Sequence, residues 1–179
     1  APNGGTDTYQ FSQTVDLSTV GQTYSIEAKT NLSGDGYVPN DDFTKEVKHL
    51  FANDVGVIEV ASPQTGPNLG DETITVKVKN FGVDTQSGFD VEYTLDSGST
   101  VSQEFTGTIG SEEVMSFTFS DTGDFSEVGD HTLTVKTALS NDQSADNNSV
   151  TVTIENLLCL PSGNCTVGHG FTEFEVGGI

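Results

Sequence analysis

Apolar and polar residues alternate with period two along most of this chain, the pattern of strands that bury one face. Ile74, Val76 and Val78 alternate with Thr75, Lys77 and Lys79, and Phe89, Val91, Tyr93 and Leu95 alternate with Asp90, Glu92 and Thr94. Met115, Phe117 and Phe119 repeat the pattern, as do Leu133 and Val135, then Val150, Val152 and Ile154. Strands at Val55 to Val60 and Val101 to Phe105 bring the expectation to seven between residues 51 and 157, separated by turn signals such as DSG at 96–98 and SNDQSADNN at 140–148. Seven short one-faced strands in about a hundred residues are best buried by two antiparallel sheets closed on each other. The expected fold is therefore all-β, an immunoglobulin-like or fibronectin-like antiparallel β-sandwich.

The pattern also repeats. YQFSQTVDLSTVG (9–21) aligns with FTFSDTGDFSEVG (117–129) at an offset of 108, matching Phe11 with Phe119, Asp16 with Asp124 and Val20-Gly21 with Val128-Gly129. After one deleted residue the register continues at 107: Lys29-Thr30 meets Lys136-Thr137, Asp35 meets Asp142, Asn40 meets Asn147 and Leu50 meets Leu157. Three domains follow as expectations. Residues 51–157 form one complete repeat of seven strands. Residues 1–50 hold the C-terminal three strands of an incomplete repeat, at roughly 8–15, 23–32 and 42–49. Residues 158–179 match neither copy and read as the start of a different, truncated module. Three strands cannot close two sheets, so neighbouring modules of the same polypeptide or another chain would have to complete residues 1–50. The short link Phe51, Ala52, Asn53 predicts repeats set end to end with Phe51 buried at the junction.

Composition narrows the function. Ser and Thr number 41, Val 19 and Gly 20, with no Trp, a mixture for strands and turns. There are 27 Asp plus Glu against 6 Lys and no Arg, a net charge of −21. Such a surface repels phosphate backbones and anionic lipid, and lacks the guanidinium forks that read guanine, which excludes nucleic acid as a partner. Apolar runs of a few residues exclude membrane insertion by a helix. An acidic, Lys-poor surface fits an extracellular or cell-surface setting.

Candidate chemistry is sparse. His49, His131 and His169 stand far apart with no partner at metal spacing, and no nucleophile or phosphate-loop motif accompanies them, so no catalytic residue and no enzyme activity is expected. Two loops gather oxygen ligands: Asp35, Asp41 and Asp42 in SGDGYVPNDD, and Asp142 and Asp146 in SNDQSADNN. Calcium is the metal such loops would take, while Asp and Asn equally dominate loops through local side-chain turns. The expectation is no cofactor, with calcium as the alternative. Tyr37, Phe51, Phe81 and Phe125 are the loop aromatics that a sugar-binding role would use, although Trp, the preferred stacking ring, is absent and Phe81 and Phe125 sit beside strand ends, where such rings more often cap a core. Cys159 and Cys165 fit neither a redox motif nor a zinc knuckle, and the spacing across CLPSGNC allows a small disulfide loop between them.

NDVGVIEVASPQTGPNLGDETITVKVKNFG (53–82), followed by strands and the turn SADNNSVTVTI (144–154), resembles the cell-adhesion-related CARDB-type bacterial immunoglobulin-like repeat. The resemblance covers residues 51–157. The tail CLPSGNCTVGHGFTEFEVGGI resembles the start of a module that follows such repeats in exported Bacteroidetes proteins, where a Cys-x-x-x-x-x-Cys loop leads into a Gly-Asp-Gly-Phe turn; His169 stands here in place of that Asp. These resemblances imply type IX secretion and a non-catalytic spacer or adhesion repeat of a large secreted or cell-surface protein. A carbohydrate-binding accessory module of a secreted hydrolase is the alternative, with cell-surface or polysaccharide ligands as partners.

Overall fold

The computed structural model describes residues 4–159 and the short strand 165–166. The chain divides into two compact units at Leu50/Phe51.

The second unit is an antiparallel sandwich. One sheet has three strands in the order β3 (Val55–Ser62), β5 (Asp71–Asn80), β8 (Val114–Asp124). The other runs β11 (Cys165–Thr166), β10 (Ser149–Cys159), β9 (Gly129–Ala138), β6 (Gln86–Leu95), β7 (Val101–Ile109). The two-residue strand β4 (Gly66–Pro67) pairs in parallel with Asn156 and Leu157 of β10, so the opening segment contributes to both sheets. The seven strands expected between 51 and 157 all form, but the boundary drawn at 157 falls inside β10, which continues to Cys159.

Alternation places the core. Val76 and Val78 of β5 and Phe117 and Phe119 of β8 face Val91 and Tyr93 of β6 and Leu133 and Val135 of β9, all buried. Aromatic rings connect the sheets. Phe89 stacks on Phe105 with centroids 4.9 Å apart, Phe105 meets Phe117 at 6.0 Å, Phe117 meets Phe119 edge-on at 5.0 Å, and Phe119 meets Tyr93 edge-on at 4.8 Å. Edge and offset contacts of this kind add to what area burial alone supplies. The Tyr93 hydroxyl leaves the core by donating to the Thr122 carbonyl, which satisfies its one polar atom.

Two buried amides tie loops to this core. Asn80 donates to the carbonyls of Asp84 and Ile109 and accepts from Gly82 N–H. Asn156 accepts from Leu69 N–H and donates to the Phe125 and Ser126 carbonyls. Each spends its side chain on main-chain groups that burial would otherwise leave unpaired.

Among its described residues the first unit holds two strands, β1 (Thr23–Lys29) and β2 (Asp42–Lys48), paired antiparallel from Thr23↔Lys48 to Lys29↔Asp42. The third strand expected at 8–15 does not form. Its counterpart in the second unit is β8, whose ladder partner is β5; the described residues of the first unit contain no strand equivalent to β5, so 8–15 has nothing to pair with. The hairpin itself matches β9–β10 at the 107 offset in pairing register, since Lys29↔Asp42 corresponds to Lys136↔Ser149. A single 3-10 turn at Val38–Asn40 likewise corresponds to one at Ala145–Asn147.

One face of the two hairpins has opposite fates. Leu133, Val135 and Ile154 are fully or almost fully buried, whereas their counterparts Ile26, Ala28 and Val47 are exposed or half-buried. Phe119 is 3% exposed and its counterpart Phe11 is 66% exposed. Truncating the two rings therefore separates burial from sequence. Phe119→Ala is expected to cost about 3–5 kcal/mol, while Phe11→Ala should stay within about 0.5 kcal/mol, both read from urea unfolding of the full chain.

Candidate functional site

The most heavily connected polar region of the second unit is the β9–β10 loop where it meets the start of β3. Asp142 folds the loop: its Oδ1 accepts from Ser144 N–H at 2.8 Å, a local side-chain turn, while its own N–H donates to the Leu139 carbonyl. Its other oxygen, Oδ2, accepts from Val55 N–H at 3.0 Å. Thr137 Oγ1 donates to the Val55 carbonyl at 2.9 Å, and Asn147 Nδ2 donates to Asp54 Oδ1 at 2.7 Å. Gln143 Oε1 accepts from Ala52 and Asn53 N–H, and Gln143 N–H donates to the Asn53 carbonyl. Gly56 completes the fit, because a Cβ there would lie 2.4 Å from the Asn147 carbonyl oxygen. Asp142, Gln143 and Thr137 thus read the main chain of residues 52–55, Asn147 reads the Asp54 carboxylate, and only glycine follows.

The loop of the first unit is folded by the same bonds. Asp35 N–H donates to the Leu32 carbonyl, Asp35 Oδ1 accepts from Tyr37 N–H at 2.8 Å, and Asp41 N–H donates to the Val38 carbonyl. Thr30 N–H donates to the Asp41 carbonyl at 2.7 Å, as Thr137 N–H does to that of Asn148 at 2.9 Å. Beside this loop lies an open cavity of about 510 Å³ lined by Tyr9, Phe11, Ala28, Phe43 and the polar Asn40 and Asp42.

The expected ligand loops place their carboxylates on turns and at a strand end. Both oxygens of Asp142 are engaged with main-chain N–H groups, Asp146 lies on the 3-10 turn, and Asp42 opens β2 while Asp35 folds the loop. Among the described residues no group of three or more His, Cys, Asp or Glu side chains is placed to hold a metal ion. Of the aromatics, Phe125 is fully buried and sits edge-on to His131 at 5.3 Å, so it is core and cannot stack on a sugar. Phe51 and Phe81 are half-buried, and Lys79 Nζ lies 4.7 Å from the Phe81 ring centroid. Tyr37 alone of the four is well exposed. Cys159 is disulfide-bonded, and the Cys165 backbone lies opposite it in the β10–β11 register. His169 and the tail motif lie outside the described residues.

His49, directly after β2, reaches residue 17: its Nδ1 lies 2.9 Å from the Leu17 carbonyl, the place taken by Asn156 and the Phe125 carbonyl in the second unit. His131 makes a pairing that the sequence conceals. Asp96 and Ser97, both at positive φ, form a two-residue turn closed by Gly98 N–H on the Leu95 carbonyl, a conformation that Asp tolerates. From this turn Asp96 Oδ1 accepts from Thr132 N–H, and Oδ2 lies 2.5 Å from His131 Nδ1. His131 Nε2 lies 2.8 Å from the Glu127 carbonyl. Both ring nitrogens face acceptors, so the protonated ring satisfies both bonds. Burial opposes that charge, but the Glu127 carbonyl and Asp96 outweigh it and raise the His131 pKa. Burial likewise opposes the Asp96 charge, and the bonds from His131 and Thr132 overcome it and lower the Asp96 pKa.

No protein-family model and no curated protein sequence matches the chain. Among solved structures, a domain assigned to a cell surface protein of Methanosarcina acetivorans is 22% identical, with 60% of this chain and 94% of that one covered and a TM-score of 0.48. A CARDB domain from Pyrococcus furiosus solved in solution is 18% identical over 59% of this chain and 96% of that one, with a TM-score of 0.47. The same domain crystallised with di-metal ions gives 19% identity, 59% and 90% coverage, and a TM-score of 0.45.

The His131 clasp has a defined pH window. Its raised pKa contributes stability that is full below about 6.5, the ordinary imidazole value, and is lost as pH rises through the folded value. The lowered Asp96 pKa contributes stability that is full above about 3.9 and is lost as pH falls through the folded value. Asp124, Glu127 and Asp130 are the other acids near this ring. The stability difference between the native chain and His131→Gln should be largest near pH 5–6 and shrink by pH 9, as read from urea midpoints. A difference constant over that range would exclude an imidazolium.

Proposed function

We propose that this chain is a non-catalytic spacer or adhesion segment of a larger secreted or cell-surface protein, built from tandem immunoglobulin-like sandwich repeats. The observation that carries the reading is the agreement of the two hairpins, 107 residues apart, in pairing register, 3-10 turn and loop hydrogen bonds. On this reading residues 1–50 are the closing part of one sandwich, residues 51–159 are a complete one, and a Cys159–Cys165 bridge fixes how the following segment leaves β10. A repeat that separates other modules needs solubility and a persistent shape more than a reactive site. The net charge of −21 supplies mutual repulsion between copies, and the polar side chains that could have formed a site are spent on turns and loop ties.

The test is made on the full chain. Ester and glycoside substrates should show no turnover, a glycan array should give no saturable binding, and the melting temperature should be the same with added calcium as with a chelator. Turnover of any substrate would overturn the reading. Saturable glycan binding that weakens in Tyr37→Ala would replace it with a carbohydrate-binding module, and a calcium-dependent rise in melting temperature would assign a metal to the loops.

A further inference from the structure

We propose that residues 30–41 form a strand receptor: a loop shaped to take the opening strand of an immunoglobulin-like sandwich supplied by a polypeptide segment other than residues 51–62. The inference rests on reading residues 1–50 as the closing part of a sandwich, and adds which side chains recognise the missing strand and what that strand must carry.

The second unit shows a receptor of this kind filled. There Asp142 Oδ2, Thr137 Oγ1 and Asn147 Nδ2 hold Val55 N–H, the Val55 carbonyl and the Asp54 carboxylate. At the 107 offset those three residues are Asp35, Thr30 and Asn40, identical in type. The internal bonds that shape the loop are also present: Asp35 Oδ1 is held by Tyr37 N–H, and Thr30 N–H by the Asp41 carbonyl. What differs is the outward half of each group. Among the described residues Asp35 Oδ2 and Asn40 Nδ2 make no hydrogen bond, and the Thr30 hydroxyl keeps only its contacts to Asp41, of which the one to the carbonyl is also made by Thr137 to Asn148. All three residues are exposed.

Local folding does not account for this identity. The Asx turn needs one oxygen of residue 35, and the other oxygen, like the amide of residue 40, has a use in the second unit only because a strand is present. The surface behind the loop has the matching character, since the cavity bounded by Phe11, Ala28 and Phe43 lies on the side that β3, β5 and β8 cover in the second unit. The occupant is then defined by chemistry. It is extended, with an Asp whose carboxylate meets Asn40, then an aliphatic residue whose N–H meets Asp35 and whose carbonyl meets Thr30, then a glycine against the Asn40 carbonyl. This chain has such a segment at Asp54-Val55-Gly56, but it is already held by residues 137–147. Gly36 replaces Gln143, so the two bonds that Gln143 Oε1 accepts from Ala52 and Asn53 N–H are not reproduced. Only a main-chain donor remains there.

The experiment places a second copy of residues 51–109 ahead of Ala1 in the full chain, in the order that a preceding opening half would have, and follows amide hydrogen exchange. Protection at Tyr24 to Ala28 and across 30–41 should rise at least about tenfold over the unfused chain. Asp35→Asn, which keeps the oxygen used by Tyr37 but removes the second acceptor, should reduce that gain by about tenfold or more, the range of a hydrogen bond to a charged group. It should leave the unfused chain unchanged. Gly56→Val in the added copy should abolish the gain. If the added copy gives protection that neither substitution alters, the receptor is wrong while the sandwich reading stands. If it gives no protection at all, both fail.

Discussion

An antiparallel hairpin with one apolar face is stable in water only when a second layer covers that face, and this requirement governs both halves of the chain. In the second unit β3, β5 and β8 provide the cover, and Leu133, Val135 and Ile154 lose nearly all contact with solvent. In the first unit the same positions carry Ile26, Ala28 and Val47, on a hairpin of the same register, without a described strand over them. The backbone pattern is identical and the environment is not. Turn bonds and ladder register are therefore local properties of this sequence, while burial is supplied from elsewhere in the sandwich.

The polar residues follow from the same requirement. Two sheets closed on each other leave loop ends and crossover segments partly buried, with main-chain groups that need partners. Asn80, Asn156, Asp96, Asp142 and Gln143 supply them, each joining segments distant in sequence. With only six Lys in the chain, charge pairing plays a small part; the pairs Lys77–Glu59, Lys79–Glu112 and Lys136–Glu92 lie at the surface, where such contacts contribute little. Carboxylates here act mostly as acceptors for N–H groups.

Much of this was legible in the sequence because period-two alternation depends on nearest neighbours along a strand. All seven long strands of the second unit, the core faces of β5, β6 and β8, and the offset of the two hairpins could be read directly. The failures share a cause, which is dependence on a partner remote in sequence. Residues 8–15 alternate as a strand should, yet a strand exists only with a ladder partner. Phe125 stands beside the end of β8, where a ring can cap a core or face a ligand, and only partners remote in sequence decide that it is fully buried. Asp142 and its neighbours read as a cation loop or a turn; the turn was visible from the Asx spacing, but the bond to Val55 spans 87 residues. The contact between Asp96 and His131, across 35 residues, left no motif. Asn80 and Asn156 gave no signal either, since a buried amide and a loop amide look alike in sequence.

The short parallel pairing of β4 with β10 has a mechanical consequence. Gly66 and Pro67 run in the same direction as Asn156 and Leu157, so a pull applied between the two ends of the second unit drives these strands past each other along their axes. Load in that geometry falls on the bonds of the patch together, and on the flanking ties from Glu155 N–H to Thr65 and from Leu69 N–H to Asn156. A hairpin peeled from one end yields a bond at a time; a sheared patch yields all at once. Under tension the resistance of this sandwich is set less by the extent of its core than by a few contacts between its opening segment and its last strand.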